Sequence, residues 1–336
     1  MRIMTYNVQS GRDAWGQLHL EGTARAICRL APDVCGLNEI RVGCADSEGI
    51  DQAAYLGEKT GMHARFARAI PLVDGQYGIA LLSRYPIGRF DVHPVPDVPL
   101  DQREPGYYEN RVIYRAELET PEGVLAVYGS HFGLTRPERR AAVKLLLGLL
   151  ETEKLPAVFM GDLNMSPDDE LIGSIKGVMR SLHPARPCLT HHVLRMHDTI
   201  DYIFVSKGIR ATDAFASYSV ASDHLPVLAE IHLPGSREAE QSARIERIVS
   251  NEQRFDRITV AVNGLKDALQ AFGSLRPDIE QLTAYYENEW KQDFEADEQG
   301  LRPRDLKRGV LSEDAVYDLL EEIGNLDAKL QTPPRK

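Results

Sequence analysis

Ala157-Val158-Phe159-Met160-Gly161-Asp162-Leu163-Asn164 is an apolar run that stops abruptly in polar residues. Four apolar residues rich in branched and aromatic side chains suit a buried strand. The polar residues beyond Met160 then fall where a strand ends and neighbouring side chains can converge. The same pattern recurs over the first two thirds of the chain. Ile3 to Val8 is strand-like and carries Asn7, and Val34 to Leu37 runs into Asn38-Glu39. His131 follows Val124–Ser130, Asp201 precedes Tyr202–Val205, and Asp223-His224 lies just ahead of Val227–Ile231. Further strand-like runs occupy Gly78–Leu82 and Val112–Leu118.

Two helices interrupt the strands. Gly22 to Ala31 has helical spacing at Ala24, Ile27, Cys28 and Leu30 and is ended by Pro32. Pro137 to Leu150 has proline in its first turn and a wide apolar face through Ala141, Leu145, Leu146, Leu149 and Leu150. Many short strands with few helices predict an α+β layered domain over residues 1–234 with at least one large sheet.

After Pro234-Gly235-Ser236 the pattern changes to helix without strand. Ile248, Phe255, Val262 and Leu269 share one heptad position and Ile258, Leu265 and Phe272 another. That seam predicts an amphipathic helix of about thirty residues whose stripe must be covered. A second helix is expected from Pro277 through Phe294 and a third from Ser312, an N-cap followed by Glu313 and Asp314. Three such helices could cover one another as a small all-α domain over residues 240–330. The tail Thr332–Lys336 reads as disordered.

The 336 residues are 43% hydrophobic and 26% charged, enough for a packed core and unlike a disordered chain. The net charge of −11 lacks the basic footprint of a non-specific nucleic-acid binder. Cys28, Cys35, Cys44 and Cys188 form no CxxC pair and read as reduced thiols, which together with the lack of an apolar N-terminal stretch points to a cytoplasmic protein. No run of about 18 uncharged apolar residues would span a membrane.

Each polar residue at a strand end has a simple explanation alone, because Asn, Asp and Ser favour turns and caps. Together, two amides, four carboxylates and two histidines recur at one kind of place: Asn7, Glu39, His131, Asp162, Asn164, Asp201, Asp223 and His224. Oxygen donors without thiolates suit a hard cation, Mg²⁺ or Mn²⁺. Histidine beside a carboxylate suits proton transfer or phosphate binding. Metal-assisted hydrolysis of a phosphate ester uses all eight positions.

Thr5-Tyr6-Asn7-Val8, Pro32-Asp33 with Leu37-Asn38-Glu39, Gly78 to Ile87, Ser130-His131, Gly161-Asp162-Leu163-Asn164, Ile200 to Phe204 and Ser222-Asp223-His224 occur in the order seen in the endonuclease/exonuclease/phosphatase family, which residues 1–234 resemble. The resemblance implies a four-layer αββα sandwich of two facing mixed sheets with a metal-dependent site at one end. It implies Glu39 as principal metal ligand with Asn7 beside it and Asp223 on the metal side. It further implies that Asp162 activates the attacking water and contacts metal, and that Asn164 holds the transition-state phosphate. His224, oriented by Asp201, and His131 would be donors to phosphate or leaving group. Arg111 is a phosphate contact by the same resemblance, or a surface salt bridge.

Asn38 stands where many relatives carry Gln, and Thr199 replaces a basic residue often found before Ile-Asp-Tyr; the latter bears on substrate preference. His191, His192 and His197 could bind zinc, but their irregular spacing favours a solvated loop. Residues 240–325 resemble a small bacterial helical domain of unknown function, through Tyr285-Tyr286-Glu287-Asn288-Glu289-Trp290 and Leu306 to Asp314. Its aromatics read as packing, although the domain could bind a protein partner or cover the site.

Before residue 235 there are 24 Lys+Arg and 29 Asp+Glu, and four of those acids are Glu39, Asp162, Asp201 and Asp223. Outside its candidate site the domain is therefore near neutral. That balance favours a small phosphomonoester or phosphodiester as substrate. A nuclease acting on abasic or single-stranded DNA would need a basic strip with exposed aromatics. A non-enzymatic binding module would have lost catalytic residues, and none is missing.

Overall fold

The computed structural model describes residues 1–183, 189–191, 194, 198–301, 303 and 307–331. The chain divides into a unit of Met1–Arg244 and a unit of Ile245–Lys336. The strands of the first unit are β1 (Arg2–Asn7), β2 (Val34–Val42), β3 (His63–Leu72), β4 (Gly75–Ser83), β5 (Ile87–Pro94), β6 (Val112–Thr120), β7 (Gly123–His131), β8 (Ala157–Asp162), β9 (Arg180–Ser181), β10 (Asp201–Val205), β11 (Arg210–Ala211), β12 (Phe215–Ala216) and β13 (Val227–His232). Its helices are α1 (Leu20–Leu30), α2 (Gln52–Thr60), α3 (Arg136–Glu151) and α4 (Glu170–Lys176).

One sheet has the order β11-β13-β1-β2-β4-β3, with β12 also on β13, and the other β5-β6-β7-β8-β10-β9. Each is mixed: β1 pairs in parallel with β2, and β7 with β8, while the other pairings are antiparallel. The pleat sorts side chains into three apolar layers. Ile3, Val34, Leu81, Val127, Val158, Met160, Ile203 and Val227 fill the space between the sheets. Met4, Tyr6, Leu37 and Leu82 face α1 and α2, and Tyr128, Phe159 and Phe204 face α3 and α4. These layers make the expected αββα sandwich.

Gly161 shows how close the strands must run. It has φ +151°, and a Cβ there would lie 1.9 Å from the carbonyl oxygen of Ser130 on β7. α3 begins at Thr135, whose backbone N–H donates to the Glu138 carboxylate, which also accepts from the Glu109 N–H.

Strands β3 and β5, the short β9, β11 and β12, and helices α2 and α4 go beyond the elements expected from sequence. β3 and β5 are sheet edges. Arginines and half-buried positions dilute their apolar signal, as edges require to resist pairing with other chains.

The second unit departs further from expectation. α5 (Arg237–Ser274) is longer than the predicted helix, and the helix expected from Pro277 to Phe294 is two, α6 (Arg276–Asn288) and α7 (Trp290–Glu298), followed by α8 (Glu313–Gln331). Trp290 stacks on Phe294 with ring centres 5.0 Å apart, and its indole N–H donates to the Val310 carbonyl. The predicted seam of α5 stays open, among the described residues of this unit, at Phe255, Ile258 and Leu265, which are 60–65% exposed. Among the described residues of this unit only Trp290 and Val316 are buried hydrophobics. The segment 332–336, read as disordered, lies outside the described residues, as do His192, His197 and Cys188. No helix of the described residues is long and apolar enough to cross a membrane.

Candidate active site

Strand alternation brings the candidate residues together. On β1, Ile3 lies between the sheets, so Asn7 follows two pleats later on the same face. On β8, Val158 and Met160 set the phase for Asp162, and on β10, Ile203 and Val205 set it for Asp201. The ladders put these residues at one level: Asn7 pairs with Asn38, His131 with Asp162, and Asp162 with Asp201. One end of the inter-sheet space therefore receives polar groups from both sheets.

Glu39 arrives differently. Leu37 packs towards the α1/α2 layer and Asn38 towards the opposite sheet, so regular alternation would send Glu39 outward. The β2–β4 register shifts between Leu37 and Ile40, and Glu39 has φ +60°. This bulge turns the Glu39 carboxylate into the site, where Oε1 accepts from Asn7 Nδ2 at 2.9 Å. A glutamate in the left-handed region is a strained conformation, held here by the surrounding ladder.

Asn7 Nδ2 also donates to Asp162 Oδ2 at 3.0 Å, so one amide holds two carboxylates from different sheets. Asn7 Oδ1 accepts the Gln9 N–H. Asn38, fully buried, clamps the sheets: its Nδ2 donates to the Ser130 carbonyl and its Oδ1 accepts the Asp162 N–H. Ser222 Oγ donates to the Asn7 carbonyl at 2.7 Å, fixing the segment that carries Asp223 and His224.

Two imidazoles flank Asp162. His224 Nδ1 lies 2.9 Å from Asp201 Oδ2, and its Nε2 lies 3.7 Å from Asp162 Oδ2. Burial works against charge on His224, but Asp201 and then Asp162 and Asp223 outweigh it and raise its proton affinity. His131 Nε2 is also 3.7 Å from Asp162 Oδ2, while its Nδ1 faces Arg111 Nη1 at 2.9 Å. A guanidinium only donates, so Nδ1 accepts and the proton sits on Nε2. Burial, with Arg111 and His224 nearby, holds His131 well below the usual imidazole range. The site thus pairs an imidazolium stabilised by carboxylates with a neutral imidazole.

Burial, with Asp201 adding to it, raises Asp162 above the usual carboxylate range. Burial also raises Glu39, with Asp223 adding to it and Asn7 opposing it. Asp201 Oδ1 is buried with no hydrogen-bond partner among the described residues. Buried carboxylates that resist ionisation in the protein alone fit a cation that would compensate them. The oxygen donors of Glu39, Asp162 and Asp223 match a hard divalent ion. Asp162, Asp201 and His224 have ligand atoms mutually within 4.8 Å, as do His191, Asp223 and His224.

Arg111 forms the expected salt bridge, but buried instead of at the surface. It pairs with Glu109 at 2.7 Å and contacts His131, while its Nε has no partner among the described residues. Asn164 has φ +50°, in keeping with the tolerance of Asn for that region, and its Nδ2 donates to the Phe132 carbonyl. Asp223 accepts from Ser222 and is only partly buried.

His191 belongs to the site rather than to a solvated loop: its ring lies 4.5 Å from that of His224, and Nε2 is 3.9 Å from Asp223. Sequence reasoning noted the histidines but could not place a residue that reaches the site through a non-strand segment. The clamp role of Asn38 was missed as well, although its inward phase on β2 was a usable signal.

Residues 4–224 match the family model described as the endonuclease/exonuclease/phosphatase family, and residues 248–330 match a domain of unknown function, DUF4298. Among solved structures, the first unit resembles an endonuclease/exonuclease/phosphatase from Beutenbergia cavernae, with TM-score 0.58 and 21% identity over 70% of this chain and 72% of that one. A Bacteroides thetaiotaomicron mannosyl-6-phosphatase gives 0.55 at 17% identity, covering 69% of this chain and 99% of that one. The human Nocturnin catalytic domain with bound sulfate gives 0.53 at 19%, covering 69% and 92%. The match of the family model over most of the chain, on a fold that gathers its polar strand ends into one site, shows that this chain belongs to the endonuclease/exonuclease/phosphatase family.

Proposed function

We propose that this chain is a metal-dependent hydrolase of compact phosphoesters. The convergence of His131 and His224 on Asp162, each at 3.7 Å, with Glu39 joined to the same carboxylate through Asn7, carries this reading. Glu39, Asp162 and Asp223 would hold Mg²⁺ or Mn²⁺, and Asn7 would sit beside the ion and set the spacing of the first two. The ion would neutralise phosphate charge and lower the pKa of a bound water.

The chain's own groups supply the rest. Asp162 orients the attacking water and accepts its proton. His224, kept protonated by Asp201, donates to a phosphate oxygen, and His131 donates through Nε2 to phosphate or leaving group. Arg111, whose Nε has no partner among the described residues, donates to the same anion, and Asn164 holds the transition-state oxygen. The near-neutral charge outside the site supports a small phosphomonoester or phosphodiester over a long nucleic acid.

The test is hydrolysis by the full chain with Mg²⁺, Mn²⁺ or EDTA, across sugar phosphates, nucleotides, lipid headgroup phosphates, and abasic or single-stranded DNA. Activity on small phosphoesters is expected with metal and not with EDTA. Asp162→Ala and His224→Ala are each expected to reduce it by about 10²–10⁴-fold. Full activity in either variant would overturn the site assignment, and preference for DNA would select the nuclease reading.

A further inference from the structure

A cavity of about 530 Å³ opens between α1 and the segment before His224, and none of Asn7, Glu39, His131, Asp162, Asp201 or His224 lines it. Its volume falls within the range of about 300–1,000 Å³ that holds whole small molecules. Trp15 and Tyr218, both large rings, line it and stay 62% and 68% exposed. Arg25 and Arg29 also line it, four residues apart and therefore on one face of α1.

The walls are held in place without a ligand. Asp13 Oδ1 accepts the N–H groups of Trp15 and Gln17, fixing the turn that presents the indole. The Ala14 N–H donates to the Val220 carbonyl, tying that turn to the opposite wall. Arg29 Nη2 donates to the Tyr218 carbonyl at 3.0 Å and has no carboxylate partner among the described residues. Arg25 faces His19 Nε2 at 3.0 Å, which makes that nitrogen an acceptor, and pairs at 3.7 Å with Glu21. Glu21 is itself engaged by the Tyr55 hydroxyl.

We propose that this cavity binds an aromatic phosphate of mononucleotide size, its ring stacked on Trp15 and Tyr218 and its phosphate on Arg29 and Arg25. Exposed aromatic faces beside guanidinium groups are the combination that holds a base and its phosphate together. Arg29 contributes a charge not already neutralised by an acid, and Asp13 has part of its negative charge taken up by two amides. The pre-formed walls mean that little ordering is needed on binding. The inference is independent of the hydrolase reading, because binding needs neither the metal nor the catalytic residues.

Equilibrium dialysis of the full chain with AMP in EDTA tests it, with adenosine, inorganic phosphate and phosphotyrosine as comparison probes. The only two tryptophans are Trp15 and Trp290, so saturable quenching of emission gives a second readout. AMP is expected to bind saturably and to quench Trp15, with adenosine and phosphate at least tenfold weaker. Trp15→Ala and Arg29→Ala, both at solvent-facing positions, are expected to weaken AMP about tenfold or more. Quenching of Trp15 by AMP should be unchanged in His224→Ala, which removes a phosphate donor of the separate catalytic site. The proposal is overturned by absence of saturable AMP binding in the millimolar range, by tighter binding of phosphotyrosine, by equal binding of adenosine, by indifference to Trp15→Ala or Arg29→Ala, or by loss of that quenching in His224→Ala.

Discussion

The two units of this chain use apolar residues in opposite ways. In Met1–Arg244, period-two runs meet across two sheets and vanish into three layers of core. In Ile245–Lys336, a longer and more regular apolar pattern forms a helix most of whose stripe is exposed among the described residues. Periodicity determines which face of an element is apolar; it does not determine that a neighbour exists to cover that face. A sheet supplies its own neighbours through hydrogen bonding, whereas a helix satisfies its backbone alone and must find a partner by other means.

Substitutions graded by depth would test this contrast. The largest loss is expected from Gly161→Ala, because a methyl group 1.9 Å from the Ser130 carbonyl must push β7 and β8 apart. The variant should fail to give a cooperative unfolding transition in urea; a normal transition would mean the strands can separate cheaply. Phe159→Ala, in the layer beneath α3, should cost about 3–5 kcal/mol by the same measurement.

Next comes Glu153, which accepts from Arg115 Nε and from the Tyr128 hydroxyl, each at 2.7 Å. Burial opposes its charge, but Arg115, the Leu155 N–H and Tyr128 prevail and hold the carboxyl down at about 2. A depressed carboxyl stabilises the fold above its unfolded pKa near 4.3, and that contribution fades as pH falls towards 2. Glu153→Gln should therefore lower stability by about 1–3 kcal/mol at pH 7 and by progressively less below pH 4. A difference independent of pH would show that packing, not charge, is what the side chain contributes. Leu265→Ala on α5 should change stability by less than about 0.5 kcal/mol. A loss of several kcal/mol there would show that the seam is covered in solution.

The layered sandwich and most of the site were legible before the structure because both depend on strand phase. Asn7, Asp162 and Asp201 can each be placed by counting in twos from Ile3, Met160 and Ile203. Edge strands such as β3 escaped because their charged outer faces resemble loops. The sequence shows Asn38 as a departure and not as a clamp, since its partners, Ser130 and Asp162, are distant in sequence and meet it only across the gap between the sheets. His191 reaches His224 through a bridge between irregular segments, where no periodicity exists to count. The break at Glu289 between α6 and α7 went unseen because the apolar spacing continues unbroken through it.

The bulge at Glu39 has a consequence for how such a site can be lost. Strand β2 is a counter that advances by one half-turn per residue, and the chain skips a count between Leu37 and Ile40. Removing a single residue there would restore the rhythm and leave every strand pairing available. Leu37 and Ile40 both face the helix layer, so only one residue between them would then face the gap between the sheets, and the strand would keep either the Asn38 clamp or the Glu39 carboxylate but not both. A frame of one residue, rather than any change in chemical composition, separates a strand that serves the site from one that merely fills the sheet.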